Sequence, residues 1–223
     1  MTEKLGTKYI DIHTHNPRED VLSPTMAGIH PWQAESGGEL PDFSQCDIIG
    51  ETGLDYACKV DREAQKKLFI EHLEAATKAN KPVVLHTVRA TEDVLKILKG
   101  YQAIRGVVMH GFIGSWQQAE RCIERGYYLS FGERSLRSPK SIEALRITPL
   151  SQLFCETDDN TTVAIEEIYS RVAQIKQIVE VVAVEQGVGL VVLYKTINDS
   201  ELQLWIDILE TVCEDIALLA TYG

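Results

Sequence analysis

Short apolar runs alternate along the chain with longer stretches in which apolar residues recur every three or four positions. Seven runs read as strands: residues 8–13, 26–30, 47–51, 82–86, 106–110, 127–131 and 152–157. Several, such as Pro82-Val83-Val84-Leu85 and Gly106-Val107-Val108-Met109, are continuously apolar. That is the pattern of strands buried on both faces of a parallel sheet. Helical spacing fills most of the intervals. Asp61 to Asn80 carries apolar residues at 68, 69, 73 and 76, and Thr91 to Lys99 at 94, 95, 97 and 98. Ser115 to Arg125 carries them at 116, 119, 122 and 123. Strand–helix alternation at this spacing predicts an α/β fold with a parallel sheet. No linker or low-complexity segment divides it, so residues 1–223 read as one domain.

Polar residues gather where the strands end. The first run, Tyr9-Ile10-Asp11-Ile12-His13-Thr14-His15, alternates with period two, so Asp11, His13 and His15 share one face. Three such side chains in a dry core would be costly without partners. Later runs end in the same way: His30 before Pro31-Trp32, Glu51 in Gly50-Glu51-Thr52-Gly53, then His86, His110, and Glu156-Thr157-Asp158. Five of the six histidines thus close predicted strands. In a βα barrel those ends converge on one mouth, where the active site lies. The sixth, His72, lies mid-helix beside Leu68, Phe69 and Leu73 and reads as a packing or surface histidine.

Composition narrows the function. Hydrophobic content of 44% and charged content of 25% are ordinary for a globular chain. Neither a secretory h-region nor an apolar run long enough to span a membrane is seen, so no membrane association is expected. Five widely spaced cysteines without a CxxC argue for reduced thiols and a cytoplasmic location. The net charge of −11 disfavours non-specific coating of nucleic acid. A phosphate-bearing substrate would need local positive charge, which bound metal ions can supply.

His13, His15, His86, His110, Glu51 and Asp158 are nitrogen and carboxylate donors without thiolate. Such a set suits Zn²⁺ or Mn²⁺, with Mg²⁺ less at ease among imidazoles. It exceeds one tetrahedral site and fits two ions about 3.5–4 Å apart sharing a carboxylate. Asp158 is suited both to bind metal and to take the proton of a nucleophilic water.

Together the motifs DxHxH, GIHPW, GETGLDY, PVVLHTVRA, HGFIGS and ETD resemble the TatD-type metal-dependent deoxyribonucleases of the amidohydrolase-like barrel superfamily. The resemblance covers about residues 8–186, with six separated motifs in the expected order. It implies two-metal hydrolysis of DNA phosphodiesters, often from a 3′ end, on single strands or 3′ ends. It also implies that His13, His15, Glu51 and Asp158 hold one metal and that Glu51, His86 and His110 hold the second, with Glu51 bridging. His30 would lie beside the scissile phosphate, and Arg89 would meet substrate phosphate. Asp158, Glu51 and His30 are then the catalytic group.

Two departures shape the expected fold. Only residues 16–27 separate His15 from Gly28, whereas a βαβ unit needs about 30 residues. The expectation is therefore a TIM-like (β/α) barrel, distorted or incomplete, with seven strands and a gap between those ending at His15 and His30. Past the barrel, Leu202, Trp205, Leu209, Val212, Ile216 and Leu219 recur at helical spacing, predicting an extra C-terminal helix over about 201–220. It would either cover the core of a monomer or join a homodimer.

Further candidates sit near the expected mouth. Arg134, Arg137 and Lys140 lie in an expected loop, 132–140, and offer phosphate contacts. Trp32 is placed to stack a base or pack on the rim. Asp55 reads as a group orienting a ligand histidine, and Asp11 and Glu156 as deeper hydrogen-bonding groups. Gly50 and Gly53 read as sites of close backbone approach or positive φ. Two other functions compete: hydrolysis of a small cyclic amide or lactone, and a degenerate barrel that binds metal without turnover. The first usually relies on a lysine between the metals, and no lysine ends a strand here.

Overall fold

A computed structural model describes residues 9–176 and the backbone of 180–186 and 189–195. The element order is β1 (Tyr9–Ile10), β2 (Val21–Leu22), β3 (Met26–Ala27), β4 (Ile48–Asp55), α1 (Arg62–Ala79), β5 (Val83–Val88), α2 (Thr91–Leu98), β6 (Val107–Met109), α3 (Trp116–Ile123), β7 (Tyr128–Phe131), α4 (Glu133–Leu136), α5 (Pro139–Ile147), β8 (Leu153–Cys155), α6 (Ile165–Lys176), β9 (Glu180–Gln186) and β10 (Gly189–Lys195). The expected helix 201–220, including Trp205, lies outside the described residues. No helix among the described residues is long and apolar enough to cross a membrane. No disulfide joins the described cysteines.

Strands β3 to β8 form one sheet in sequence order, every pair parallel. The N-terminal segment continues it. Ile12 N donates to Cys155 O at 3.1 Å, and Asp158 N to His13 O at 3.0 Å. On its other side β1 pairs with β2 in parallel. The segment from Tyr9 to His15 is thus the seventh parallel member, flanked by β8 and β2. The short strand β2 was not expected; it occupies part of the foreseen gap. No ladder joins β2 to β3 among the described residues.

A small apolar ring shows the barrel interior. Ile12, Ile48, Val84 and Val108 cluster there with Met26, Tyr128 and Phe154, one residue from each parallel segment except β2. The larger core lies outside the sheet, where Val83, Leu85, Val107, Met109 and Leu129 meet Phe69, Leu73, Val94, Leu98, Cys122 and Val172 of the helices. Continuously apolar strands are the sequence signature of this two-sided burial.

Helix limits follow local chemistry. Asp61 accepts from Ala64 N to cap α1, worth about 1 kcal/mol. Asn80 ends that helix in the left-handed region, with φ of 52°. Ser115 and Gln118 form a reciprocal cap on α3. Two expectations are corrected. The segment 132–140 is not a loop but α4 and the start of α5, with Pro139 suited to a first helical turn. The chain beyond α6 forms an antiparallel hairpin, β9–β10, that was not foreseen.

Candidate metal centre

The donors of β5, β6 and the end of β8 lie one step above the apolar ring, while His13 and His15 come from the segment that follows β1. Side chains two apart along a strand share a face. Val84 is followed in this way by His86, Val108 by His110 and Phe154 by Glu156. Strand β4 reaches the mouth differently. Its pairing with β5 runs Ile49↔Val83 and then Thr52↔Leu85, a register shift at Gly50-Glu51. A bulge of this kind re-aims a side chain, here that of Glu51. The strand also runs on to Asp55, past its expected end at residue 51. Gly53 permits the close approach of β5: a Cβ there would lie 2.1 Å from the His86 carbonyl oxygen, at φ of 138°.

Glu51 is the hub. Its Oε1 lies 2.6 Å from His86 Nδ1, 2.7 Å from His110 Nε2 and 3.5 Å from His30 Nε2. Its Oε2 lies 3.5 Å from His13 Nε2. That nitrogen is also 3.5 Å from Asp158 Oδ1, and His15 Nε2 lies 3.7 Å from the same oxygen. Ligand atoms within 4.8 Å of one another fall into four overlapping triplets: His13, His15 and Asp158; His13, Glu51 and His110; His30, Glu51 and His86; and His110, Glu156 and Asp158.

Behind the imidazoles stand further carboxylates. Asp55 Oδ2 is 3.2 Å from His86 Nε2, and Glu156 Oε1 is 3.4 Å from His110 Nδ1. Carboxylate–histidine pairs of this kind fix ring orientation at metal sites. Asp11 accepts from Thr157 N at 2.9 Å and from Thr157 Oγ1 at 2.6 Å, holding the turn into Asp158. Asp158 itself adopts a left-handed backbone, φ 57°, which Asp tolerates better than most residues. His72 is buried in packing: its Nε2 accepts from Ile29 N at 2.9 Å and its Nδ1 donates to Leu68 O at 2.8 Å.

Electrostatics follow from this crowding. Burial alone would raise the Glu51 carboxyl, but the imidazoles of His110, His13, His30 and His86 outweigh it and hold it far below the usual carboxylate range. Burial disfavours a charged His13, yet Asp158 and Glu51 push it up to about 9. His110 is raised against its burial by Glu156 and Glu51. Asp158 is lowered against its burial by His13 and His110. For Asp11, burial dominates and lifts it to about 6.

The donor set fits divalent cations on its own terms. His13 Nε2 and Glu156 Oε2 are buried with no hydrogen-bond partner. Such orphans are costly, and a cation bridging nitrogen and oxygen donors satisfies them.

All of the predicted ligands and His30 meet at this mouth. Glu156, expected only deeper, stands within ligand range of His110 and Asp158. Its parity with Phe154 was the available signal. The contact of His13 Nδ1 with Met26 Sδ at 3.4 Å had none. The rim residues differ among themselves. Trp32 is 59% exposed, but its indole nitrogen donates to Asp55 Oδ2 at 2.7 Å. Arg89 is exposed, left-handed at φ 53°, and without an ion pair among the described residues. Arg134 lies 3.6 Å from Asp159, and Arg137 donates to Glu133 at 2.6 Å, so both have carboxylate partners.

An α/β barrel with a two-sided histidine–carboxylate cluster at its strand ends defines a metal-centre fold. Residues 10–205 match the family model described as TatD related DNase, and the chain belongs to that family. It is similar to the uncharacterized metal-dependent hydrolase YabD of Bacillus subtilis (strain 168), with 38% identity over 127 residues, 54% of this chain and 49% of that protein. It is similar to the uncharacterized metal-dependent hydrolase YcfH of Escherichia coli (strain K12), with 28% identity over 190 residues, 80% of this chain and 72% of that one. A protein named Deoxyribonuclease Tat-D from Schizosaccharomyces pombe is 36% identical over 118 residues, 49% of this chain and 36% of that one. The chain thus spans about half the length of the Bacillus relative. The fold is shared with the TatD homolog YjjV of E. coli K12, at a TM-score of 0.62 and 23% identity over 76% of this chain and 78% of that one. It is shared too with a TatD family hydrolase of Entamoeba histolytica, at 0.57 and 17% over 96% and 81%.

Proposed function

We propose that this chain is a deoxyribonuclease that hydrolyses DNA phosphodiesters with two divalent cations, Zn²⁺, Mn²⁺ or Mg²⁺, acting on single strands or 3′ ends. The observation that carries this reading is the division of Glu51: Oε1 serves His86, His110 and His30, while Oε2 serves His13 and, beyond it, Asp158 and His15. A carboxylate so placed is suited to bridge one site of His13, His15 and Asp158 and another of His86 and His110. Bound cations supply an acidified water and neutralise charge on the phosphate.

The side chains do the rest. Asp158, held in its ionised form by His13 and His110, is partly open to solvent, so it accepts the proton of the attacking water. His30 caps the 3-10 turn Pro31–Gln33; its Nδ1 accepts from Trp32 N at 3.2 Å, which leaves Nε2 turned to the site beside the scissile phosphate. Arg89 meets a substrate phosphate, since no carboxylate among the described residues holds it. Arg134 and Arg137 contribute more weakly, exchanging a carboxylate partner for phosphate. In a chain of net charge −11, these arginines and the cations are the local attraction for a polyanion. The deoxyribonuclease name of the Schizosaccharomyces relative supports the substrate.

The test is nucleotide release from end-labelled single-stranded DNA. Release with added divalent metal, abolished by EDTA and by Glu51→Gln, is expected. No release from a metal-loaded chain with any of the three ions would contradict the reading.

A further inference from the structure

Trp32 is a paradox of placement. The residue is 59% exposed, as a surface packing residue would be, yet its side chain's one polar atom points inward. Nε1–H donates to Asp55 Oδ2 at 2.7 Å, and that same oxygen lies 3.2 Å from His86 Nε2. His86 Nδ1 lies 2.6 Å from Glu51 Oε1. A continuous line of contacts thus runs from the rim indole through one carboxylate and one imidazole to the hub carboxylate.

Asp55 is otherwise fixed on its other oxygen. Oδ1 accepts from Ala57 N at 2.8 Å and Cys58 N at 3.3 Å. Among the described residues, Oδ2 has only Trp32 and His86 as partners. Without the indole donor, Oδ2 would be held by His86 alone, and the carboxylate could rotate about its Oδ1 anchor. The ring also stands edge-on to His30 at 4.6 Å and to His86 at 6.1 Å between centroids, so it walls the outer side of both imidazoles.

We propose that Trp32 is a positioning residue for the half of the centre built on His86. It fixes Asp55, which accepts from His86 Nε2–H and so commits Nδ1, as a bare lone pair, to the metal beside Glu51. This deepens the two-metal reading and rests on it. A hydrogen bond two steps removed from the cation acts through ring orientation and tautomer, the role of outer-shell partners at metal sites. It acts on one half of the centre only, because no contact links Trp32 to His13, His15 or Asp158 among the described residues.

The experiment is Zn²⁺ titration of the full chain by calorimetry for wild type, Trp32→Phe, Asp55→Asn and the double variant. Phenylalanine keeps the ring wall and removes only the N–H; a thermal melt of each variant checks folding. Wild type is expected to bind two equivalents. Trp32→Phe should bind the first as wild type does and the second about tenfold more weakly. The double variant should be no weaker than Asp55→Asn alone, because the two act in one line. Equal second-site affinity in Trp32→Phe and wild type, or losses that add in the double variant, would overturn the proposal while the two-metal reading stands. A wild-type chain that takes up no Zn²⁺ would overturn both. Should Trp32→Phe fail to fold, Trp32→Tyr, which keeps an exposed ring without the indole N–H, carries the same expectation.

Discussion

Glu51 Oε2 stands 3.5 Å from Nε2 of His13, a buried nitrogen that has no hydrogen-bond partner. The same carboxylate's other oxygen is crowded by imidazoles at 2.6 and 2.7 Å. The two ends of Glu51 thus have different company, and in the proposed two-cation reading the gap on the His13 side is the place of one cation. Strand alternation supplies His86, His110 and Glu156, one bulge turns an acidic residue of β4 into the ring of histidines, and the segment after β1 brings His13 and His15.

Metal uptake should expel protons. In the metal-free chain His13 is pushed up to about 9 and His110 is raised, so both carry protons at pH 7 that a metal must displace. Zn²⁺ affinity should therefore rise with pH until about 9. Calorimetry at pH 7 in buffers of different ionisation enthalpy should show proton release. The stability of the metal-free chain runs the opposite way. A raised histidine contributes fully below the unfolded value of 6.5, and its contribution is lost as pH rises toward about 9. Metal affinity that does not change between pH 6 and 9 would contradict the assignment.

His72 should matter for stability rather than chemistry. Burial lowers its pKa, so the neutral ring is the folded form. Its contribution is present above the unfolded value and is lost as pH falls below it. Replacing it by Leu leaves Ile29 N–H without its acceptor and should cost about 1–3 kcal/mol in urea unfolding.

Gly53→Ala should be more damaging than a methyl group suggests. The added Cβ would meet the His86 carbonyl at 2.1 Å, in a backbone region that L residues rarely adopt. Either the strands part or the residue moves, at a cost of at least about 2 kcal/mol. Because His86 sits on the displaced strand, a thermal melt and a metal titration should both register the change.

Arg89→Ala should raise KM for single-stranded DNA with kcat little altered, the signature of lost uniform binding. Arg134→Ala should do less, because that side chain already has Asp159 as a partner. Steady-state kinetics at fixed ionic strength separates the two; equal effects would argue against Arg89 as the main phosphate contact.

Much of this was legible in the chain. Strand ends marked by His, Glu and Asp located the mouth, and continuous apolar runs identified a sheet buried on both faces. Asp61, Asn80 and Ser115 fixed helix limits because capping is local chemistry. Less legible were features set by tertiary contact. Val21–Leu22 is too short to carry a period, and becomes a strand only because β1 lies beside it. The 132–140 segment reads as a loop from its polar residues, while Glu133 is buried and paired with Arg137 and Arg171. Glu51 fell at the predicted strand end rather than in a bulge within a longer strand, because a register shift leaves no compositional mark.

The central claim is that one carboxylate, Glu51, joins two cations. Anomalous scattering from crystals of the chain soaked in Mn²⁺ tests it most directly. The account predicts two peaks about 3.5–4 Å apart, one beside His13, His15 and Asp158 and the other beside His86 and His110, with one oxygen of Glu51 bound to each or one shared by both. A single peak, or two peaks of which only one touches Glu51, would contradict it.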